Sequence, residues 1–139
     1  MSAPEETLIV VKPDAVRRGL VGEILKRFEA KGFAVRKLYM LTMSKAQAED
    51  FYSVHRDKPF FGELVSFITS GPVVGAVLSG REAVSTVRRM IGETKSWEAA
   101  AGTIRGDLGL GLTDNTIHAS DSAQSFSREH AAFFGKPSW

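Results

Sequence analysis

The stretch Asn115 to Ser122 crowds an amide, three hydroxyls, an imidazole and a carboxylate into eight residues: Asn115, Thr116, His118, Ser120, Asp121 and Ser122. A neutral imidazole is nucleophilic without a base to remove a proton first, unlike a serine or threonine hydroxyl. His118 can therefore take up a phosphoryl group as a covalent intermediate, provided something orients the ring. The same octapeptide also reads as a polar residue ending a strand above a helix cap. A metal site built on His118 and Asp121 lacks a third ligand nearby.

Phosphoryl transfer asks a protein mainly for position and positive charge. Lys12, Arg88 and Arg105 are the cationic candidates. Lys12 stands between an apolar run and a Pro-Asp turn, which holds it rigidly; otherwise it is a solvated strand end. Arg88 lies one residue beyond the apolar stripe of its segment and alone would be a surface arginine. Arg105, in Gly102-Thr103-Ile104-Arg105-Gly106-Asp107, is flanked by glycines that let the backbone approach a ligand, or is an ordinary loop arginine. Phe60, just after Lys58-Pro59, can stack on a base if exposed, whereas the spacing of Tyr52 favours the core. Taken singly, Glu129 reads as a solvated charge, and His55 and His130 suggest no special role.

These residues need elements to place them. Thr7 to Val11 is a short β-branched run, the signature of a central strand, and Pro13 ends it so that Lys12 reaches its C-terminal edge. Gly19 and Gly22 mark a turn, and Ile24, Leu25 and Phe28 then define an amphipathic helix from Glu23 to a C-cap at Gly32. Phe33 to Met43 alternates as a strand with one solvated face. Ser44-x-x-Gln47 is a capping box ahead of Ala48, Phe51, Tyr52 and His55 at helical spacing. Lys58-Pro59 breaks that helix, and Phe61 to Ile68 forms another, closed by Gly71. Pro72 to Leu78 reads as a buried strand in which Gly75 marks a close approach. A helix over Arg81 to Ile91 carries Val84, Val87 and Ile91. Glu93 to Leu112 is irregular, and a loop of that length in a small domain is more often functional than idle. Thr116 to His118 forms the last strand, with Asp121 or Ser122 capping a helix through Phe126, Glu129, His130 and Phe133. The order predicts an α+β sandwich, with helices on one face of a small, mainly antiparallel sheet.

Bulk properties bound the rest. A chain of 139 residues with 43% hydrophobic content supports one domain, expected to span 1-139. There is no cysteine, which excludes disulfides and thiolate metal sites. The polar, acidic start and the brevity of Leu8 to Val11 argue against a signal or spanning segment, so a cytoplasmic protein is expected. A net charge of +2 suits an anionic ligand but is weak for a dedicated nucleic-acid binder.

Three segments together, Val11-Lys12-Pro13-Asp14, Gly102 to Asp107 and Asn115-x-x-His118-x-Ser120-Asp121-Ser122, share their order and spacing with one family. Over nearly its whole length the chain resembles the nucleoside diphosphate kinases. The resemblance implies a ferredoxin-like βαββαβ sandwich with a four-stranded antiparallel sheet. It also implies ping-pong transfer of the γ-phosphate from a nucleoside triphosphate to a nucleoside diphosphate through a phosphohistidine at His118. Carried over by position, Lys12, Arg88, Thr94, Arg105 and Asn115 surround the phosphates and sugar, while Phe60 stacks on the base with Leu112 on its other side. Tyr52 and Glu129 support the site, Glu129 by orienting the imidazole, and the Ser120 hydroxyl supports the ring. Stacking tolerates every base, so broad nucleotide specificity follows.

Magnesium (Mg2+) is expected to bridge nucleotide phosphates with no direct protein ligand. The expected assembly is a homo-oligomer built from dimers, hexamer ahead of tetramer, with no membrane and no requirement for nucleic acid. Some positions depart from the family pattern: Ala15 and Ala119 stand where glycine is usual, and Leu112 where valine is common. Lys95, Ser96, Trp97 and Ala101 occupy a loop that often carries two prolines and helps pack subunits. The competing reading is a ferredoxin-like regulatory or nucleic-acid-binding module that keeps the scaffold without the catalysis.

Overall fold

The computed structural model describes residues 4–112 and 114–135. The first three residues of the acidic N-terminus therefore lie outside the described residues. The strands are β1 (Glu5–Val11), β2 (Ala34–Leu41), β3 (Val73–Gly80) and β4 (Ile117–Ala119), in one antiparallel sheet ordered β2-β3-β1-β4. The helices are α1 (Pro13–Arg17), α2 (Val21–Lys31), α3 (Lys45–Phe51), α4 (Phe61–Ile68), α5 (Ala83–Ile91), α6 (Ile104–Leu108) and α7 (Ala123–Phe134). This is the expected ferredoxin-like βαββαβ sandwich.

Helices cover both faces of the sheet, not the one face expected. The reason lies in β1 and β3, whose apolar runs are buried on both sides, as central strands require. Because side chains alternate, Ile9, Val11, Val74, Ala76 and Leu78 meet Ile24, Phe28, Val87 and Ile91 of α2 and α5. Leu8, Val10, Val73 and Val77 point the other way, into Phe51, Val65, Ile68 and Phe133 of α3, α4 and α7. At Gly75 a Cβ would come within 2.2 Å of the Phe133 ring, so glycine is what lets α7 lie so close to the sheet.

Several boundaries differ from the sequence expectation. Pro13 ends β1 but also begins α1, because proline at the first helical position loses no needed donor and Asp14 complements the helix dipole. Gly22 sits inside α2 and is not part of a turn, whereas Gly19 keeps a turn conformation with φ +73°. The Ser44–Gln47 capping box forms, but α3 stops at Phe51 and His55 belongs to a separate 3-10 turn over Ser53–His55. The irregular stretch after α5 contains a 3-10 turn at Ser96–Glu98 and the short helix α6, whose first turn is capped by Thr103 accepting from Gly106 N.

Candidate active site

His118 is the middle residue of β4 and pairs with Val10, which places it above the edge of the sheet facing α7. Its Nε2 donates to Glu129 Oε1 at 2.8 Å. With the proton on Nε2, the lone pair belongs to Nδ1. The Ser120 hydroxyl donates to the same carboxylate oxygen, also at 2.8 Å, and Arg128 Nη2 reaches Oε2 at 3.1 Å. Ser120 thus supports the carboxylate, and the imidazole only through it. The edges of Phe51 and Tyr52 wall the histidine ring, with centroids 5.0 and 6.4 Å away.

Glu129 holds its place because α7 is fixed at two points. Ser122 accepts from Ser125 N at the start, and Phe133, one turn after Glu129, is wedged over Gly75. Burial by itself would raise the Glu129 carboxyl; the hydrogen bonds from His118 and Ser120 and the charge of Arg128 bring it below its ordinary value.

Lys12 is buried at the end of β1 and is no solvated strand terminus. Its Nζ donates to Asn115 Oδ1 at 2.7 Å, and Asn115 Nδ2 donates to the Thr94 carbonyl at 3.0 Å. Burial, then the charge of Arg105, lowers the Lys12 ammonium to about 7 against the opposing pull of Asp14 and Asp114. The Tyr52 hydroxyl is pushed well above its usual value by burial and by Glu129.

Arg105 lies in α6 and is likewise buried. Its Nη2 donates to the Ile117 carbonyl at 2.7 Å and its Nη1 to the Gly92 carbonyl at 3.1 Å. Burial and the neighbouring Arg88 charge lower the guanidinium to about 10. Arg88, on the exposed side of α5, donates from Nη1 to the Ala119 carbonyl at 3.2 Å. The two arginines therefore grip β4 on either side of His118. Gly106 serves packing, contrary to the expectation of ligand approach, since a Cβ there would sit 2.0 Å from the Ala100 carbonyl oxygen.

Phe60 is 43% exposed at the start of α4, as a stacking surface requires. Ring contacts join it to the histidine: Phe60 to His55 at 5.6 Å, His55 to Tyr52 at 6.4 Å, Tyr52 to His118 at 6.4 Å. Leu112 is exposed, and Thr94 enters through its carbonyl group. Sequence reasoning gave no specific site role to Phe51, Asp14, Thr116 or Arg128, and read His55, which links Phe60 to Tyr52, as having no special role. Asp14, beside Lys12-Pro13, and Thr116, beside Asn115, carried a local signal; the others become neighbours of the site through the fold. Among the described residues no group of three or more His or acidic side chains converges to hold a metal ion.

Comparison with known proteins places this geometry. The family model described as nucleoside diphosphate kinase matches residues 5–138. The nucleoside diphosphate kinase of Staphylothermus marinus is 54% identical over 130 residues, covering 94% of this chain and 92% of the relative. That of Rubrobacter xylanophilus is 53% identical over 131 residues, covering 94% and 98%. Among solved structures, the Aquifex aeolicus nucleoside diphosphate kinase superposes with a TM-score of 0.91 at 47% identity, covering 95% of this chain and 96% of the other. A halophilic nucleoside diphosphate kinase from Halobacterium salinarum, in complex with CDP, gives 0.92 at 44% identity, covering 98% and 93%.

Proposed function

This chain belongs to the nucleoside diphosphate kinase family, and we propose from that premise which of its residues carry the phosphate relay. The enzyme moves the γ-phosphate of a nucleoside triphosphate, chiefly ATP, to a nucleoside diphosphate by a ping-pong mechanism through a phosphohistidine at His118.

In the first half-reaction the Nδ1 lone pair attacks the γ-phosphorus, the bond to the β,γ-bridging oxygen breaks, and the diphosphate leaves with that electron pair. In the second, a terminal β-phosphate oxygen of the acceptor attacks the phosphohistidine and the N–P bond breaks, returning the pair to Nδ1. Glu129 keeps the proton on Nε2 and offsets the positive charge of the phosphorylated ring; the hydrogen bond from His118 Nε2 is the observation that carries this assignment. Ser120 and Arg128 hold the carboxylate in place. Lys12, Arg88 and Arg105 neutralise the transferring phosphate, Asn115 and Thr94 order the phosphate and sugar end, and Tyr52 lines the histidine. Phe60 stacks on the base, with Leu112 opposite.

Magnesium dependence goes with the family. The ion would come with the nucleotide and would supply charge neutralisation at its phosphates; among the carboxylates of this region Glu129 is engaged by His118, Asp121 by Ser125 and Asp14 through one oxygen by Thr116. The whole of 1-139 acts as one catalytic domain, in the cytoplasm; no helix among the described residues is long and apolar enough to cross a membrane. The enzyme works as a homo-oligomer, hexamer ahead of tetramer. The exposed Leu38, Tyr39 and Met40 on the edge strand β2, Trp97 between α5 and α6, and Leu110 after α6 support an assembly that covers them.

Incubation with γ-labelled ATP should give a phosphoenzyme that is labile in acid, stable in base, and discharged by any nucleoside diphosphate. Labelling that persists in His118→Ala would overturn the assignment. A scaffold reduced to a binding module would show no phosphoenzyme at all.

A further inference from the structure

Thr116 is a β-branched, fully buried residue with φ +74°, a conformation that such side chains resist. Ile117 N donates across it to the Asn115 carbonyl at 2.9 Å, which makes Thr116 the centre of a γ-turn of the strained, positive-φ kind. The turn joins Asn115, the partner of Lys12, to the strand that carries His118. A strained turn persists only where its surroundings over-determine it. Both main-chain polar groups of Thr116 are tied to the segment after β1: its carbonyl accepts from Lys12 N at 2.9 Å, and its N–H donates to Asp14 Oδ2 at 3.1 Å.

We propose that Asp14 is a positioning residue: its carboxylate clamps the strained turn at Thr116 that aims Asn115 and His118, and supplies the negative charge facing the buried ammonium of Lys12. The inference rests on the placement of Lys12 at the phosphates. Asp14 is itself buried, and its Oδ1 has no partner among the described residues. Burial raises its carboxyl above the ordinary value. A neutral asparagine could hold the Thr116 N–H with less desolvation. What only the carboxylate adds is charge, and the groups that face Lys12 make that charge consequential: Arg105 opposes its protonation, while Asp14 and Asp114 favour it.

The two roles separate by substitution, read by single-turnover phosphorylation of His118 and by the pH profile of kcat/KM. Asp14→Asn keeps an oxygen acceptor for Thr116 N but removes the charge. Its basic limb, where Lys12 loses its proton, should move to lower pH than in the wild type; an unmoved limb overturns the electrostatic role. Asp14→Ala loses both roles, and misplacement of the reacting groups should slow phosphorylation by roughly 100-fold. Because glycine adopts positive φ without strain, adding Thr116→Gly should restore at least ~10-fold of that loss. A double variant as slow as Asp14→Ala overturns the clamp. If Asp14→Ala does not fold, the double variant Asp14→Ala/Thr116→Gly decides the clamp, which a return of folding supports and continued failure to fold overturns, while Asp14→Asn still decides the charge. Lys12→Met separates the inference from its premise: an unimpaired Lys12→Met refutes the placement of Lys12, whereas an impaired one with an unmoved Asp14→Asn limb refutes Asp14 alone.

Discussion

Glu129 has one oxygen shared by His118 and Ser120 and the other engaged by Arg128. Removing its charge in Glu129→Gln should cost about 1.5–3 kcal/mol of transition-state stabilisation, the range for a hydrogen bond to a charged group, or roughly 10- to 150-fold in phosphorylation rate. Unchanged rapid-quench kinetics would refute its orienting role. The same residue governs part of the acid behaviour. Its carboxyl is held below the ordinary glutamate value, so its stabilising contribution is complete above that value and disappears as pH falls through the folded one. The melting temperature of Glu129→Gln should therefore depend less steeply on pH on the acid side than that of the wild type. Arg105 shows a different coupling, because it spans two carbonyl groups that a lysine point charge cannot bridge in the same way. Arg105→Lys should lose both activity and thermal stability despite keeping the charge; retention of full stability would show that those two bonds matter little.

At the scale of elements, the active site is set by how closely α7 lies on the sheet. Phe133 and Glu129 are one turn apart, so the helix face that fills the notch over Gly75 also presents the carboxylate to β4. Gly75→Ala would drive a methyl group into the Phe133 ring. It should destabilise the fold by about 1–3 kcal/mol, measured by urea unfolding, and lower activity as the helix shifts outward. An active variant of wild-type stability would show that α7 tolerates the displacement. The short helix α6 works similarly from the opposite side, carrying Arg105 inward to the β4 carbonyl of Ile117.

At the scale of the whole molecule, the exposed apolar surface of the sheet edge bears on assembly. β2 is an edge strand with a register irregularity between Val35 and Lys37, and its last residues expose Leu38, Tyr39 and Met40. An apolar edge of this kind invites pairing with another chain. Met40→Asp should shift sedimentation toward smaller species if β2 lies in the homo-oligomer interface, and an unchanged profile would exclude that edge from it.

By itself the sequence determined the elements whose signals are local: the apolar runs of β1 and β3, the capping box at Ser44, the notch at Gly75 and the octapeptide around His118. Its three spaced segments also carried the family resemblance. Only the tertiary structure decided that helices cover both faces, that Arg105 rides on a helix, that Lys12 is buried against Asn115, and that Asp14 reaches Thr116. Asp14 and Thr116 are 102 residues apart in sequence, and the positive φ at Thr116 has no signature in a β-branched residue. Periodicity reports which face of an element is apolar. Strain and burial arise only when separate elements meet, and at this site it is their meeting that places the charges around His118.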